Sequence, residues 1–241
     1  GQVRATLTDA LLRHHLSRDR EEKLAFGSGL VEAVATQDGF SMQVGLDAGS
    51  AGNLRGQLTG QRGSESWREH PIRGDFVLAT DGLNLLDAYI AGLDRSAGRL
   101  TATATVGGTL GAPEFDGSMQ LRQGELDLYA VNLALRDITI DARLDGRGLQ
   151  FSGSTRAGDG TGRANGKLEW RDRKPFGAIH VEGENLRVVD VPEARVVASP
   201  RLDFTIDGNR IDVGGEVRIP QGTLEPVTIT NAVLSSGDEV I

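Results

Sequence analysis

The sequence contains no cysteine, which excludes thiol nucleophiles, disulfide frameworks, cysteine-based zinc sites and iron–sulfur clusters together. A cysteine-free chain suits the periplasm and the cytosol alike. Aromatic residues are scarce at 5%, with two Trp and two Tyr, a poor supply of stacking platforms for a carbohydrate-cleaving cleft. No apolar run approaches the roughly 18 residues of a transmembrane helix. Basic charge is also short. Lys plus Arg number 26 against 34 Asp plus Glu, for a net charge of −8, which argues against nucleic-acid binding and its basic stripe. The four histidines, His14, His15, His70 and His180, show no metal-ligand spacing. No basic segment followed by an apolar stretch opens the chain, so no signal peptide is read. Gly1 to Arg4 reads like the middle of a strand and Asp238 to Ile241 stops without a cap. The expectation is a fragment of a longer protein, with any membrane anchor outside it.

Glycine is what the chain has in excess: 33 residues, about twice the usual share. The dominant pattern around these glycines is alternation with a period of two, the signature of strands with one apolar face. It runs through Leu126/Leu128, Leu133/Leu135, Ile138/Ile140/Ala142/Leu144 and Leu149/Phe151, then Ile179/Val181, Leu202/Phe204/Ile206, Ile211/Val213, Val217/Ile219 and Val227/Ile229. Intervening positions are polar, such as Asp127, Asp141, Arg143, Asp203, Thr205 and Arg218. Asp145-Gly146, Gly158-Asp159-Gly160, Asn165-Gly166, Asp207-Gly208-Asn209 and Gly214-Gly215 read as hairpin turns, and Gly27-Ser28-Gly29 reads the same way. The fold class expected is all-β and antiparallel. One stripe has helical spacing, Leu83, Leu86, Tyr89, Ile90 and Leu93, and predicts a short amphipathic helix over 83–93. His14 to Lys23 fits a long hairpin loop or a frayed helix, and Arg62 to Pro71 a loop. No linker divides the chain, so residues 1–241 read as one continuous segment.

Catalytic patterns are absent. Gly158 to Gly162 lacks the Lys-Ser/Thr of a phosphate loop and any following helix. No Gly-x-Ser-x-Gly elbow occurs. The chain is expected not to be an enzyme and to hold no cofactor or metal. What remains is a surface. An aliphatic sheet face is covered by a second sheet, by closure into a barrel, or left open as a groove.

The C-terminal third contains, in order, Gly183-Glu184-Asn185-Leu186-Arg187-Val188, Val191-Pro192-Glu193-Ala194-Arg195-Val196, Ala198-Ser199-Pro200-Arg201-Leu202, Gly215-Glu216-Val217-Arg218-Ile219-Pro220 and Ser235-Ser236-Gly237-Asp238-Glu239-Val240. Upstream stand Gly108-Thr109-Leu110-Gly111-Ala112-Pro113, Gly124-Glu125-Leu126, Gly153-Ser154 and Gly166-Lys167-Leu168-Glu169-Trp170. This succession resembles the C-terminal domain of the TamB family, the inner-membrane subunit of the translocation and assembly module, from about Leu83 to Ile241. The resemblance implies a long twisted sheet curled into an open, taco-like groove with an aliphatic interior, as in AsmA-like and bridge-like lipid-transfer relatives. It implies a periplasmic location, with the parent chain anchored in the inner membrane and reaching the outer membrane. It implies work in outer-membrane protein assembly and phospholipid transport beside a barrel partner, TamA, reached through the parent chain. The expected occupants are phospholipid acyl chains or unfolded outer-membrane protein strands. The competing readings are a surface-displayed β-solenoid adhesin or carbohydrate-binding passenger, and a β-sandwich hydrolase. The residues expected to line the groove are Leu202, Phe204, Ile206, Ile211, Val213, Val217 and Ile219.

Overall fold

A computed structural model describes residues 1–17, 20–49, 52–63, 66–83, 93–146, 148–171 and 174–225. The strands are β1 (Gln2–Ser17), β2 (Arg20–Ala35), β3 (Gly39–Asp47), β4 (Asn53–Gln61), β5 (Ile72–Thr80), β6 (Leu93–Thr109), β7 (Ala112–Leu128), β8 (Leu133–Asp145), β9 (Gly148–Ala157), β10 (Gly160–Arg171), β11 (Lys174–Glu184), β12 (Leu186–Val191), β13 (Ala194–Asp207) and β14 (Arg210–Leu224). All belong to one sheet in which each strand from β1 to β11 pairs antiparallel with its sequence neighbour. β13 then pairs with β11 and β12 along one side and with β14 along the other. The sheet is open, curled and not closed into a barrel. Its antiparallel hairpins are not the stacked coils of a solenoid.

Several expected turns lie inside strands. Gly27-Ser28-Gly29 is within β2, Asn165-Gly166 within β10 and Gly214-Gly215 within β14. Turn dipeptides mark conformational freedom, and a long sheet also uses that freedom where a flat glycine lets neighbouring side chains lie across a strand. His14 to Lys23 is neither loop nor helix. The backbone of β1 pairs with β2 there, Arg13 opposite Lys23 and His14 opposite Glu22. Of the helix predicted over 83–93, residues 84–92 lie outside the described residues, and its last residue, Leu93, opens β6. The described residues between Arg62 and Pro71 form a loop as expected, with a 3-10 turn at Trp67–Glu69.

The runs Leu133/Leu135 and Ile138 to Leu144 differ in parity. They form one strand broken by a bulge, with Asp137 at φ 51°. Parallel irregularities occur next door, at Gln123 (φ 53°) in β7 and Gly98 (φ 139°) in β6. A bulge bends its strand and resets alternation, so these neighbouring bulges crease the sheet and keep apolar residues on one side of it. Two arginines take up carbonyls at the crease. Arg122 donates to the carbonyls of Leu121 and Ile140 and to Asp141. Arg136 donates to the carbonyls of Leu126 and Leu135 and to Asp127. Leu83, Leu121 and Ile138 are buried together at this crease, flanked by Leu100, Leu126, Leu135 and Ile140. The Leu83 carbonyl accepts a 2.7 Å hydrogen bond from Ser96.

Candidate functional site: an apolar face across the sheet

Residues directly opposite each other in a ladder share a face, so the register can be followed across the sheet. One row runs Ile211, Ile206, Gly177, Leu168, Leu149, Leu144, Gly117, Ala104, Phe76, Gly56, Val44, Val31 and Ala5. The next runs Val213, Phe204, Ile179, Gly166, Phe151, Ala142, Met119, Ala102, Leu78, Leu54, Leu46 and Gly29. Neither row contains a polar side chain. On the other face the corresponding row reads Asp203, His180, Asn165, Ser152, Asp141, Gln120 and Thr101, and His180 Nδ1 meets Asp203 at 2.7 Å. The two faces therefore differ in chemistry from β13 across to β6.

Glycines give the apolar face its smoothness. A Cβ on Gly56 would collide with the Phe76 ring, one on Gly60 with Phe40, and one on Gly166 would sit 2.7 Å from the Phe151 ring. Each phenyl ring lies across the strand beside it instead of standing upright. At these three places the surface is kept low by a ring lying over a glycine.

The seven expected groove residues lie at one end of this face. Leu202, Phe204 and Ile206 are half-buried on β13. Ile211 and Val213 sit opposite Ile206 and Phe204, and Val217 opposite Pro200. The β14 members are open to solvent: Ile211 is 62% exposed and Val217 52%. Gly214-Gly215 does not interrupt the row, because the strand continues through it. Ile219 falls at a bulge, where the register passes from Ser199–Arg218 to Val197–Gln221.

That bulge, and a second one between Arg187 and Val189 in β12, shift parity again. Beyond them the apolar face is continued by Leu186, Val189 and Val191 opposite Ala198, Val196 and Ala194. Simple alternation missed these residues, because it carries no marker for a one-residue reset. The positive φ of Asn185 (51°) marks where the chain turns from β11 into β12. On the outer side, Arg195 together with Arg187 holds the Asp190 carboxyl below its ordinary pKa. Among the described residues no group of three His, Asp or Glu side chains could hold a metal ion.

Residues 147–241 match the family model of the TamB C-terminal domain. That stretch, less than half of the chain, is similar to the TamB C-terminal domain. The match begins just before β9 and covers the strands that carry the seven expected residues and the β12 turn-back. No solved structure matches the chain. No helix among the described residues is long and apolar enough to cross a membrane.

Proposed function

We propose that this TamB-like chain is a periplasmic segment of a subunit bridging the inner and outer membranes, and that its apolar face carries phospholipid acyl chains between them. The observation that supports this reading is the pair of uninterrupted apolar rows, one running from β14 to β1 and the other from β14 to β2, both bypassing β12. A closed core would hide such a face; here the sheet stays open and its β14 end is solvated. Acyl chains need no directional partner, and a surface of Leu, Ile, Val, Ala, Met, Phe and Gly supplies contact area without hydrogen-bonding groups that would have to be desolvated. The chain acts without catalysis, and TamA engages the parent protein. An extended client strand of an outer-membrane protein is a second occupant, favoured by β14, which among the described residues pairs only with β13 and so offers backbone groups for strand addition.

Native mass spectrometry of the chain purified without detergent tests the lipid reading. The expected result is co-purifying phospholipid, with uptake of fluorescent phospholipid from vesicles by delipidated protein. Protein that is lipid-free as isolated and takes up none would overturn it.

A further inference from the structure

At one place the open groove is roofed. Strand β12, residues 194–198 of β13 and residues 221–224 of β14 turn at a common level, marked by Asn185 in the left-handed region and by the bulges beyond it. The Asn185 amide donates to Ser199 Oγ at 2.9 Å across this corner. The flap so formed approaches β8, β9 and β10, none of which is its ladder partner. Leu186 lies over Gly162, within 3.5 Å of where a Cβ would stand, and crowds Gly183 as well. Between flap and sheet is a cavity of about 260 Å³, lined by Leu126, Leu135, Ile138, Ile140, Phe151 and Leu186.

Two contacts hold the flap down. At its far end Asn132, in the left-handed conformation at φ 48°, donates from Nδ2 to the Asp190 carbonyl at 2.6 Å. This bond spans 58 residues of sequence. At the near end the Arg187 side chain packs on Gly158 and reaches Asp159 at 4.0 Å. The remaining contacts of the roof are apolar and non-directional, so opening it exposes a few aliphatic side chains and breaks one well-formed hydrogen bond at the tip.

We propose that this flap is a gate on the groove: it clamps a single acyl chain against the glycine floor, Leu186 bears on that chain, and the Asn132–Asp190 bond is the clasp whose release lets the chain move on. The inference rests on the lipid reading above. The occupant is one hydrocarbon chain because the cavity falls below the roughly 300–1,000 Å³ typical of pockets for drug-sized ligands. Its walls, although they include Arg163, Glu182 and three hydroxyl residues, turn only apolar surface inward, so a headgroup stays outside.

The test uses the purified chain and a long-chain fatty acid labelled with a fluorophore at its carboxyl end. Asn132→Ala, with an unchanged far-UV spectrum, should speed probe dissociation about tenfold, the scale on which one hydrogen bond acts. Because the chain has no cysteine, Asn132→Cys with Asp190→Cys can be joined by a short bis-maleimide, and the joined protein should release probe more slowly than the same protein left unjoined. Equal dissociation rates for wild type, Asn132→Ala and the joined protein would overturn the gate. If the wild type takes up no probe, the lipid reading fails, and the clasp is judged by hydrogen exchange. Asn132→Ala should then raise exchange in residues 186–191 and leave 160–171 unchanged. An unaltered exchange pattern would overturn the clasp itself.

Discussion

Placing one aspartate at three depths of the apolar face should give a graded loss of stability. Leu121 sits at the crease with 8% of its surface exposed. Leu121→Asp would remove a buried side chain worth about 1.5–3 kcal/mol and leave a carboxylate without a partner, so a loss of about 4 kcal/mol or more, or failure to fold, is expected. Ile206 is half-buried beside Gly177 and Ile211. Roughly half the burial term is forfeited there and water can reach the new charge, so Ile206→Asp should cost about 1–2 kcal/mol and stay folded. Ile211, 62% exposed, should lose less than about 1 kcal/mol on the same change. Urea denaturation followed by far-UV circular dichroism reads all three, with midpoint shifts at constant slope reporting stability. Ile206→Asp should also bind fluorescent fatty acid more weakly than wild type. If Ile206→Asp is as damaging as Leu121→Asp, the β13–β14 end of the face is closed core and the open-groove reasoning fails; if it folds and binds lipid as before, this end of the face is not in the lipid path.

Gly166→Val should destabilise by about 1–3 kcal/mol, because its Cβ would meet the Phe151 ring; combining it with Phe151→Ala should recover part of that loss, and strict additivity in the double-mutant cycle would contradict the ring-over-glycine packing. Three carboxyls are held below their ordinary pKa, Glu32 by Arg4 and Gln2, Glu169 by Arg171 and Lys167, and Asp190 by Arg195 and Arg187. Near the ordinary carboxylate range the unfolded chain binds more protons than the folded one, so their contribution is present above that range and lost as pH falls through the lower folded pKa values. The urea midpoint should therefore drop between about pH 6 and about pH 3, by less in high salt because these pairs lie at the surface; a midpoint that rises over that interval would contradict the pairing. Addition of EDTA should leave the melting temperature unchanged, and a drop would reveal a metal site.

The strands, the antiparallel pairing and the apolar parity of most elements were legible because each rests on local alternation and short connections. Leu202, Phe204 and Ile206 with Ile211, Val213 and Val217 could be placed on one face from the Asp207-Gly208-Asn209 turn alone, since one tight turn fixes the register of a hairpin. What escaped was what glycine means inside a strand. Asn165-Gly166 carries the same letters as a hairpin turn, and only the Phe151 ring lying over Gly166 shows why a strand continues there. The bulges at Asp137, Gln123 and beyond Asn185 were equally hidden. The first two are non-glycine residues at positive φ, which the surrounding sheet imposes and the residue's own propensity does not announce; those beyond Asn185 show only in the register. The inward row of β12 was lost with them.

The bulges have a consequence for how such a chain can change length. Every strand takes its facing from the strand before it, so the sheet behaves like a message read in a frame of two. Inserting or deleting one residue in any hairpin turn would shift that frame, and every strand downstream would present its charged side to the groove and its aliphatic side to water. Two compensations restore it: a second odd change later in the chain, or a bulge that absorbs the extra residue. The resets in β7, β8, β12 and β14 are bulges of this kind within single strands. Variation among such chains should therefore come in even steps at the turns, in whole hairpins, or as odd steps coupled to a residue forced into positive φ nearby.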